Sequence, residues 1–180
     1  FGPEIELHGA DCVPADSYKP FHDYSGIQYV EIKHPYLLDY PDGHFDVVTS
    51  NGVWEHIYWE QESLNEVYRI VKPGGLFLVA CLPNLYSYTE AFQRSMGHVG
   101  HDRLYTMKSA RDALEALGYE VLSTEYRLVV PTMLNGFPDR LKNLYQKFGG
   151  AVWLANTFLE HAWPINRIAS NLMLAARKPA

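Results

Sequence analysis

A continuous apolar run, Leu76–Cys81 (LFLVAC), is the feature that most constrains the fold of this chain. Strands that are covered on both faces are apolar throughout, as in parallel sheets flanked by helices. Upstream, Phe45–Ser50 is a second candidate strand, and residues 60–71 carry apolar side chains at the i, i+3, i+4, i+7 spacing of an amphipathic helix. The turn Pro73–Gly75 ends that helix, because proline cannot continue it. The pattern predicts a strand–helix–strand unit.

Further strands and helices are predicted on both sides of this unit. A helix begins after Thr106, a good N-cap, and ends at Gly118, and residues 131–165 are predicted to form a helical insertion. The alternation of strands and helices predicts an α/β sheet with helices on both faces, in a single domain of residues 1–180. The remaining predicted strands cover Ile5–Val13, Ile27–Ile32, Tyr119–Val130 and Ala169–Arg177.

The composition excludes several classes of function. The chain has 180 residues and a formal net charge of −6, without a basic cluster, so we expect no nucleic-acid partner. No apolar run reaches the ~18 residues that cross a bilayer, so no stable membrane insertion is expected. Cys12 and Cys81 lie in apolar segments and are predicted to be reduced core thiols, which suits a cytoplasmic protein.

Three motifs follow one another around the central unit. Residues 40–48 form a Tyr-Pro-Asp-Gly-His-Phe-Asp-Val-Val turn and strand, residues 50–57 contain a Glu-His pair, and residues 66–75 end in Lys-Pro-Gly-Gly. In this order and on these elements, they resemble the methyltransferase type 11 family, which belongs to the class I S-adenosylmethionine (SAM) methyltransferases. Residues 97–106, with the helix that follows them, are similar to the family as well.

The resemblance implies a Rossmann-like methyltransferase sheet, mostly parallel with an antiparallel last strand, in the strand order 3-2-1-4-5-7-6. SAM is the implied cofactor. Gly9–Asp11 is similar to the Gly-Val-Asp that ends the family's second strand. Asp11 would therefore hold the ribose, since a carboxylate at a strand end can accept both hydroxyls. The residues expected to line the methionine side of the cofactor are Ser50, Asn51, Gly52 and Val53.

The chain departs from the family before Asp11, where the Gly-x-Gly-x-Gly motif of the first strand is absent. The first strand is therefore expected to be missing, which would unpair two rows of backbone groups at ~1–3 kcal/mol for each buried group. Either the sequence is a fragment, or strands 2 and 4 close the gap, or another chain fills it. In an alternative alignment with the family, residues 5–11 would be a degenerate first strand, and Glu31 would be the carboxylate that holds the ribose.

The adenine side also differs from the family, because Lys33 and His34 stand where family members carry Gly-Asp. A histidine can still form a hydrogen bond, so His34 is a candidate for cofactor contact.

His56 and His98 are the candidate catalytic residues. A neutral imidazole can accept a proton from an acceptor hydroxyl or amine as the methyl group moves. The alternative is that Glu55 and His56 cap the following helix and brace the cofactor loop. No metal site is predicted, because His98 and His101 have no third ligand nearby in the sequence and zinc usually takes three or four.

The insertion over residues 131–165 is rich in aromatic side chains. It could be a lid over the acceptor pocket, a homodimer face or a membrane-surface contact, or it could pack on the sheet. The resemblance implies SAM-dependent methyl transfer to a small-molecule acceptor. The alternative is a catalytically inactive binding or scaffolding module of the same fold.

Overall fold

The computed structural model of the chain describes residues 5–97, 101–131 and 139–180. Its strands are β1 (His8–Asp11), β2 (Gln28–Glu31), β3 (Phe45–Asn51), β4 (Val71–Pro83), β5 (Glu120–Arg127) and β6 (Asn171–Arg177). Its α-helices are α1 (Lys19–Ser25), α2 (Glu60–Ile70), α3 (Tyr88–Ser95), α4 (Met107–Ala116), α5 (Asp139–Lys147) and α6 (Gly149–Leu159). Short 3-10 helices cover Ala15–Tyr18, Trp54–His56 and Ile165–Ile168.

Four of the strands form one sheet in the order β3-β4-β6-β5. The strands β3 and β4 are parallel, with α2 between them in the chain, and β6 runs antiparallel to both of its neighbours. The predicted α/β architecture with an antiparallel last strand is confirmed. Strand β4 begins earlier than predicted, because Val71 already pairs with Phe45 before the Pro73–Gly75 turn.

The strands β1 and β2 form a separate parallel pair. The strands β1 and β3 stand where the family has its strands 2 and 4. Among the described residues β1 makes no backbone pairing with β3, so the hypothesis that these two strands close the gap is wrong. The two sheets meet through side chains instead, since the rings of His8 and Phe45 lie 5.2 Å apart at the starts of β1 and β3. Without a second neighbouring strand, β1 is half-buried to exposed, and the prediction of a buried strand over Ile5–Val13 is wrong.

The core of the larger sheet lies under α2 and α4. Leu64 of α2 and Leu114 of α4 are buried with Phe77 and Leu172 of the sheet, which makes one apolar cluster. The start of α4 is as predicted: the hydroxyl of Thr106 accepts from the backbone N–H of Ser109 at 2.9 Å, in a capping box. Within the described ranges, none of the helices has the length and apolar character needed to cross a bilayer.

Two expectations about local structure are not met. Helix α3 was not predicted, although Ser87 caps it by accepting from the N–H of Glu90 at 3.2 Å. Cys12 and Cys81 are free, as expected, but both are exposed, so the prediction that they are core thiols is wrong. Cys12 follows the poorly covered strand β1, and Cys81 lies where β4 shifts its register with β6.

The insertion contains α5 and α6, while residues 132–138 lie outside the described ranges. Helix α6 is attached to the segment after β5 by polar contacts. The side-chain amide of Asn156 both donates to and accepts from the backbone of Val130, and Glu160 accepts from the N–H of Leu128 at 2.8 Å. The aromatic rings of Trp153 and Phe158 face solvent. The lid, dimer and membrane-surface hypotheses for the insertion stay predictions.

Candidate functional site

The carboxyl ends of β1 and β2 bring two carboxylates side by side. Asp11 lies directly opposite Glu31 in the parallel register, and both residues are exposed. Neighbouring strands are separated by about 4.8 Å, so both hypotheses for the ribose carboxylate point to the same edge of this sheet. Oδ1 of Asp11 accepts from the N–H of Val13 at 3.3 Å, and no hydrogen bond among the described residues engages Oδ2.

Gly9, two residues before Asp11, packs close to Ile27. A Cβ atom at this position would lie 2.8 Å from Cδ1 of Ile27, so a side chain would force that isoleucine to move. Because Cδ1 is the far end of a flexible side chain, a small shift of Ile27 would relieve this contact, so strand packing alone does not require a glycine here.

His34, expected near the adenine, organises the loop after β2. Its Nδ1 accepts from the backbone N–H groups of Tyr36 and Leu37 at 3.3 and 3.0 Å. An Nδ1 that accepts requires the proton to sit on Nε2, which leaves the exposed imidazole a single N–H donor. A donor can bind the ring nitrogens of adenine but not its amino group.

The segment after β3 turns sharply at the position expected for the cofactor loop. Gly52 has φ +63°, in the left-handed region that favours glycine, and its N–H donates to the carbonyl of Ala80 at 3.0 Å. Ser50 is half-buried, whereas Asn51 and Val53 are exposed. Polar and backbone groups are thus presented at the carboxyl end of β3, where open α/β sheets bind ligands.

These two groups of residues fit a nucleoside cofactor in their chemistry. The carboxylates of Asp11 and Glu31 are acceptors for ribose hydroxyls, and the Gly52 turn lets backbone approach a ligand closely. They lie on different sheets, and a crevice shared by both stays a prediction.

Hydrogen bonds to the carboxylate of Glu60, at the start of α2, hold the segment that follows the Gly52 turn in place. Its Oε1 accepts from Nε1 of Trp54 at 2.7 Å and from the hydroxyl of Tyr105 at 3.0 Å, and its Oε2 pairs with the guanidinium of Arg103 at 2.7 Å. Burial raises the pKa of the Tyr105 hydroxyl, and the hydrogen-bonded Glu60 carboxylate raises it further. Tyr105 is therefore held as a hydrogen-bond donor within the fold.

Between Trp54 and Glu60, the structure brings Glu55 and His56 next to His101. Glu55 is buried, and its Oε1 lies 3.8 Å from Nε2 of His56, whose ring is exposed. The ring centroids of His56 and His101 are 5.8 Å apart. The alternative that Glu55 or His56 caps α2 is not supported, because the N-cap residue of α2 is Trp59 and no side chain caps it. His98 lies outside the described residues.

Glu90 of α3 is a functional candidate that the sequence analysis missed. This buried carboxylate accepts from the backbone N–H of His101 at 3.0 Å and lies 3.3 Å from Nδ1 of the same residue. Arg94 completes the arrangement with a 3.0 Å hydrogen bond to Glu90. The Ser-x-x-Glu spacing from Ser87 to Glu90, a helix-start signature, was the available signal.

A separate cavity of 380 Å³ lies beside the insertion. It is lined by Tyr145 of α5 and Trp153 of α6, and by Arg127, which lies 3.2 Å from Glu160. None of the residues predicted from the sequence to bind a ligand lines it, so it stands apart from the site at the strand ends.

Comparisons with known proteins agree with this architecture. Residues 9–79 match the family model described as "Methyltransferase domain". The chain is 34% identical over 98 residues to the sterol 24-C-methyltransferase of Eremothecium gossypii, a match that covers 50% of this chain and 26% of the relative. It is 32% identical over 97 residues to a protein of Mycolicibacterium smegmatis named a probable S-adenosylmethionine-dependent methyltransferase, with 53% and 37% covered. The chain thus spans well under half the length of these relatives.

Solved structures resemble nearly the whole chain. The phosphoethanolamine N-methyltransferase 2 of Haemonchus contortus, in complex with S-adenosyl-L-methionine, has a TM-score of 0.61 at 17% identity, over 97% of this chain and 44% of that one. The YcgJ protein of Bacillus subtilis has a TM-score of 0.57 at 16% identity, over 97% and 83%. The cyclase SpnF has a TM-score of 0.61 at 20% identity, over 98% and 67%. At these identities the similarity shows the fold.

Proposed function

We propose that this chain, whose residues 9–79 match the methyltransferase domain family model, binds SAM and transfers its methyl group to a small-molecule acceptor. The observation that carries the proposal is the pair of carboxylates, Asp11 and Glu31, at the carboxyl ends of parallel strands inside the matched region. Methyl transfer itself needs little beyond in-line positioning of the acceptor and the sulfonium, so a site that binds both molecules is the main requirement.

In this proposal Asp11 holds the ribose, with Glu31 beside it as the second candidate. His34 offers its remaining N–H on the adenine side. The turn after β3 lies along the methionine part of the cofactor, where the positive φ of Gly52 lets backbone approach closely. The residues proposed for that side are Ser50, Asn51, Gly52 and Val53.

On the acceptor side, His56 is the proposed proton acceptor. Its ring is exposed, so an acceptor hydroxyl or amine can reach it, and Oε1 of the buried Glu55 carboxylate lies 3.8 Å from its Nε2. His98 is the second proposed proton acceptor. The proposal includes acceptors methylated at oxygen, nitrogen or carbon. None of the comparisons favours an inactive scaffolding module. A single domain over residues 1–180, a homodimer and a cytoplasmic location stay predictions.

The proposal is tested by titrating the chain with SAM in a calorimeter and comparing the variants Asp11→Asn and Asp112→Asn. Hydrogen bonds to a carboxylate contribute ~1.5–3 kcal/mol, so Asp11→Asn should weaken binding by about tenfold or more. Asp112→Asn is the matched control, since Asp112 lies on α4 in an exposed pair with Lys108.

If Asp11→Asn leaves the affinity for SAM unchanged, Glu31→Gln decides between the two carboxylates. Binding that neither substitution weakens would contradict the ribose assignment. The absence of any SAM binding would contradict the proposed function itself.

A further inference from the structure

We propose that Glu55, His56 and His101 form a binding site for a divalent transition-metal ion, for which Zn²⁺ is the best-suited ion. One ligand atom from each of the three side chains lies within 4.8 Å of the other two. The inference goes beyond the proposed function and does not depend on SAM, because all three ligands belong to the protein.

The state of the Glu55 carboxylate is the second observation that points to a cation. The side chain is only 2% exposed, and its Oε2 has no hydrogen-bond partner among the residues that the structure describes, while its Oε1 is 3.8 Å from Nε2 of His56. A buried carboxylate oxygen without a hydrogen-bond donor destabilises the folded state, because it has lost its hydrogen bonds to water and has formed no others. A cation bound between Glu55 and the two imidazoles would remove that cost.

The third ligand, His101, is already oriented as metal-bound histidines commonly are. Its Nδ1 lies 3.3 Å from the buried carboxylate of Glu90, which also accepts from its backbone N–H. A proton on Nδ1, shared with Glu90, leaves the lone pair of Nε2 for a metal ion. Glu90 is in turn held by Arg94, so the orientation of the ring rests on a fixed carboxylate.

The ligand atoms of this site, two nitrogens and one oxygen, indicate which metal ion it would bind. Two imidazole nitrogens and one carboxylate oxygen are the ligands of open zinc sites, whereas Mg²⁺ and Ca²⁺ prefer oxygen ligands alone. Zinc binds such atoms at about 2.0–2.2 Å, so the three ligand atoms must approach one another by roughly an ångström. The exposed ring of His56 has the freedom to make most of that movement.

A bound cation changes the role assigned to His56. An imidazole that ligates a metal ion is no longer a free proton acceptor, and the ion itself would polarise an acceptor hydroxyl in an open coordination position. The site lies beside the turn proposed to hold the cofactor, since Oε1 of Glu55 would be 3.9 Å from a Cβ atom built on Gly52.

The test is equilibrium dialysis of the untagged, chelator-treated chain against Zn²⁺ alone, without SAM or acceptor. The variants are Glu55→Gln and His101→Ala, with His161→Ala as the matched control. His161 is an exposed histidine after α6, and its Nδ1 lies 2.9 Å from the backbone carbonyl of Thr157. Circular dichroism of each variant verifies the fold, and the nearly isosteric Glu55→Gln keeps the test valid if His101→Ala unfolds.

We expect one Zn²⁺ per chain in the wild type and in His161→Ala, and loss of this binding in Glu55→Gln and His101→Ala. Glu90→Gln should weaken binding about 10–100-fold, as is usual when the partner of a metal-bound histidine is lost. With Co²⁺ as the probe, the visible absorption bands of the nitrogen-coordinated ion should appear with the wild type and be lost with His101→Ala. No saturable binding, or equal affinity in Glu55→Gln and the wild type, would overturn the proposal, whatever the result of the SAM titration.

Discussion

The contacts of Glu60 predict a large loss of stability in Glu60→Ala. The substitution removes the acceptor of the Trp54 indole and of the Tyr105 hydroxyl, whose residues are 1% and 7% exposed. Each buried donor left without an acceptor costs ~1–3 kcal/mol, and the partly exposed ion pair with Arg103 adds up to about 1 kcal/mol. We therefore expect the free energy of unfolding to fall by about 2–7 kcal/mol, with a value near the lower limit if water reaches the freed donors.

The assay is urea unfolding followed by tryptophan fluorescence and circular dichroism. Glu62→Ala is the matched control, because Glu62 also lies in the first turn of α2 but is exposed. Both variants lose the same favourable charge at the helix N-terminus, worth ~0.3–1 kcal/mol, so the difference between them isolates the hydrogen bonds.

A double-mutant cycle with Tyr105→Phe tests the mechanism of the loss. In the wild type, removal of the hydroxyl breaks its hydrogen bond to Glu60 and should cost about 1 kcal/mol. In the Glu60→Ala background the same change removes an unpaired buried hydroxyl, so it should be neutral or stabilising. An equal cost of Tyr105→Phe in both backgrounds would refute the reasoning.

Two further predictions concern stability. Hydrogen bonds from Arg69 lower the pKa of Glu66, so Glu66 stabilises the fold above its unfolded pKa of about 4.3, and this contribution is lost as pH falls through the lower folded value. The difference in unfolding free energy between wild type and Glu66→Gln should therefore shrink in acid; a difference that is constant with pH would contradict this. Gly75→Ala should destabilise by ~1–3 kcal/mol, because its Cβ would lie 2.9 Å from the carbonyl oxygen of Lys72. At Gly150 of α6, an added Cβ would meet no described atom within 4 Å apart from its chain neighbours and the helix's own backbone, so Gly150→Ala should stabilise by ~0.5–1 kcal/mol. Equal effects of the two substitutions would show that crowding at Gly75 is not the cause.

Elements with strong local signals could be predicted from the sequence. The parallel unit of β3, α2 and β4 follows from two apolar runs and one amphipathic period, and α4 follows from its cap at Thr106. The antiparallel last strand came from the family resemblance rather than from the local pattern, which does not encode strand direction.

Burial and long-range contacts could not be predicted in the same way. The exposure of Cys12 depends on which strands flank β1, and the sequence pattern carries no record of those neighbours. The contact of His101 with Glu90 depends on α3, which was not predicted, and its approach to Glu55 joins segments that are far apart in the chain. No metal site was predicted from the sequence, because the adjacent Glu55 and His56 supply only two ligands and the third residue of the proposed site, His101, lies far from them in the chain.

The central claim is that the carboxyl ends of β1 and β3 form one nucleoside site, and backbone amide NMR tests it most directly. The chain would be titrated with S-adenosylhomocysteine, the product that SAM leaves after methyl transfer. Our account predicts that the amide signals near Asp11 and those at Gly52 and Val53 shift together with a single dissociation constant. Shifts confined to one of the two strand ends, or to the cavity beside Trp153, would contradict it.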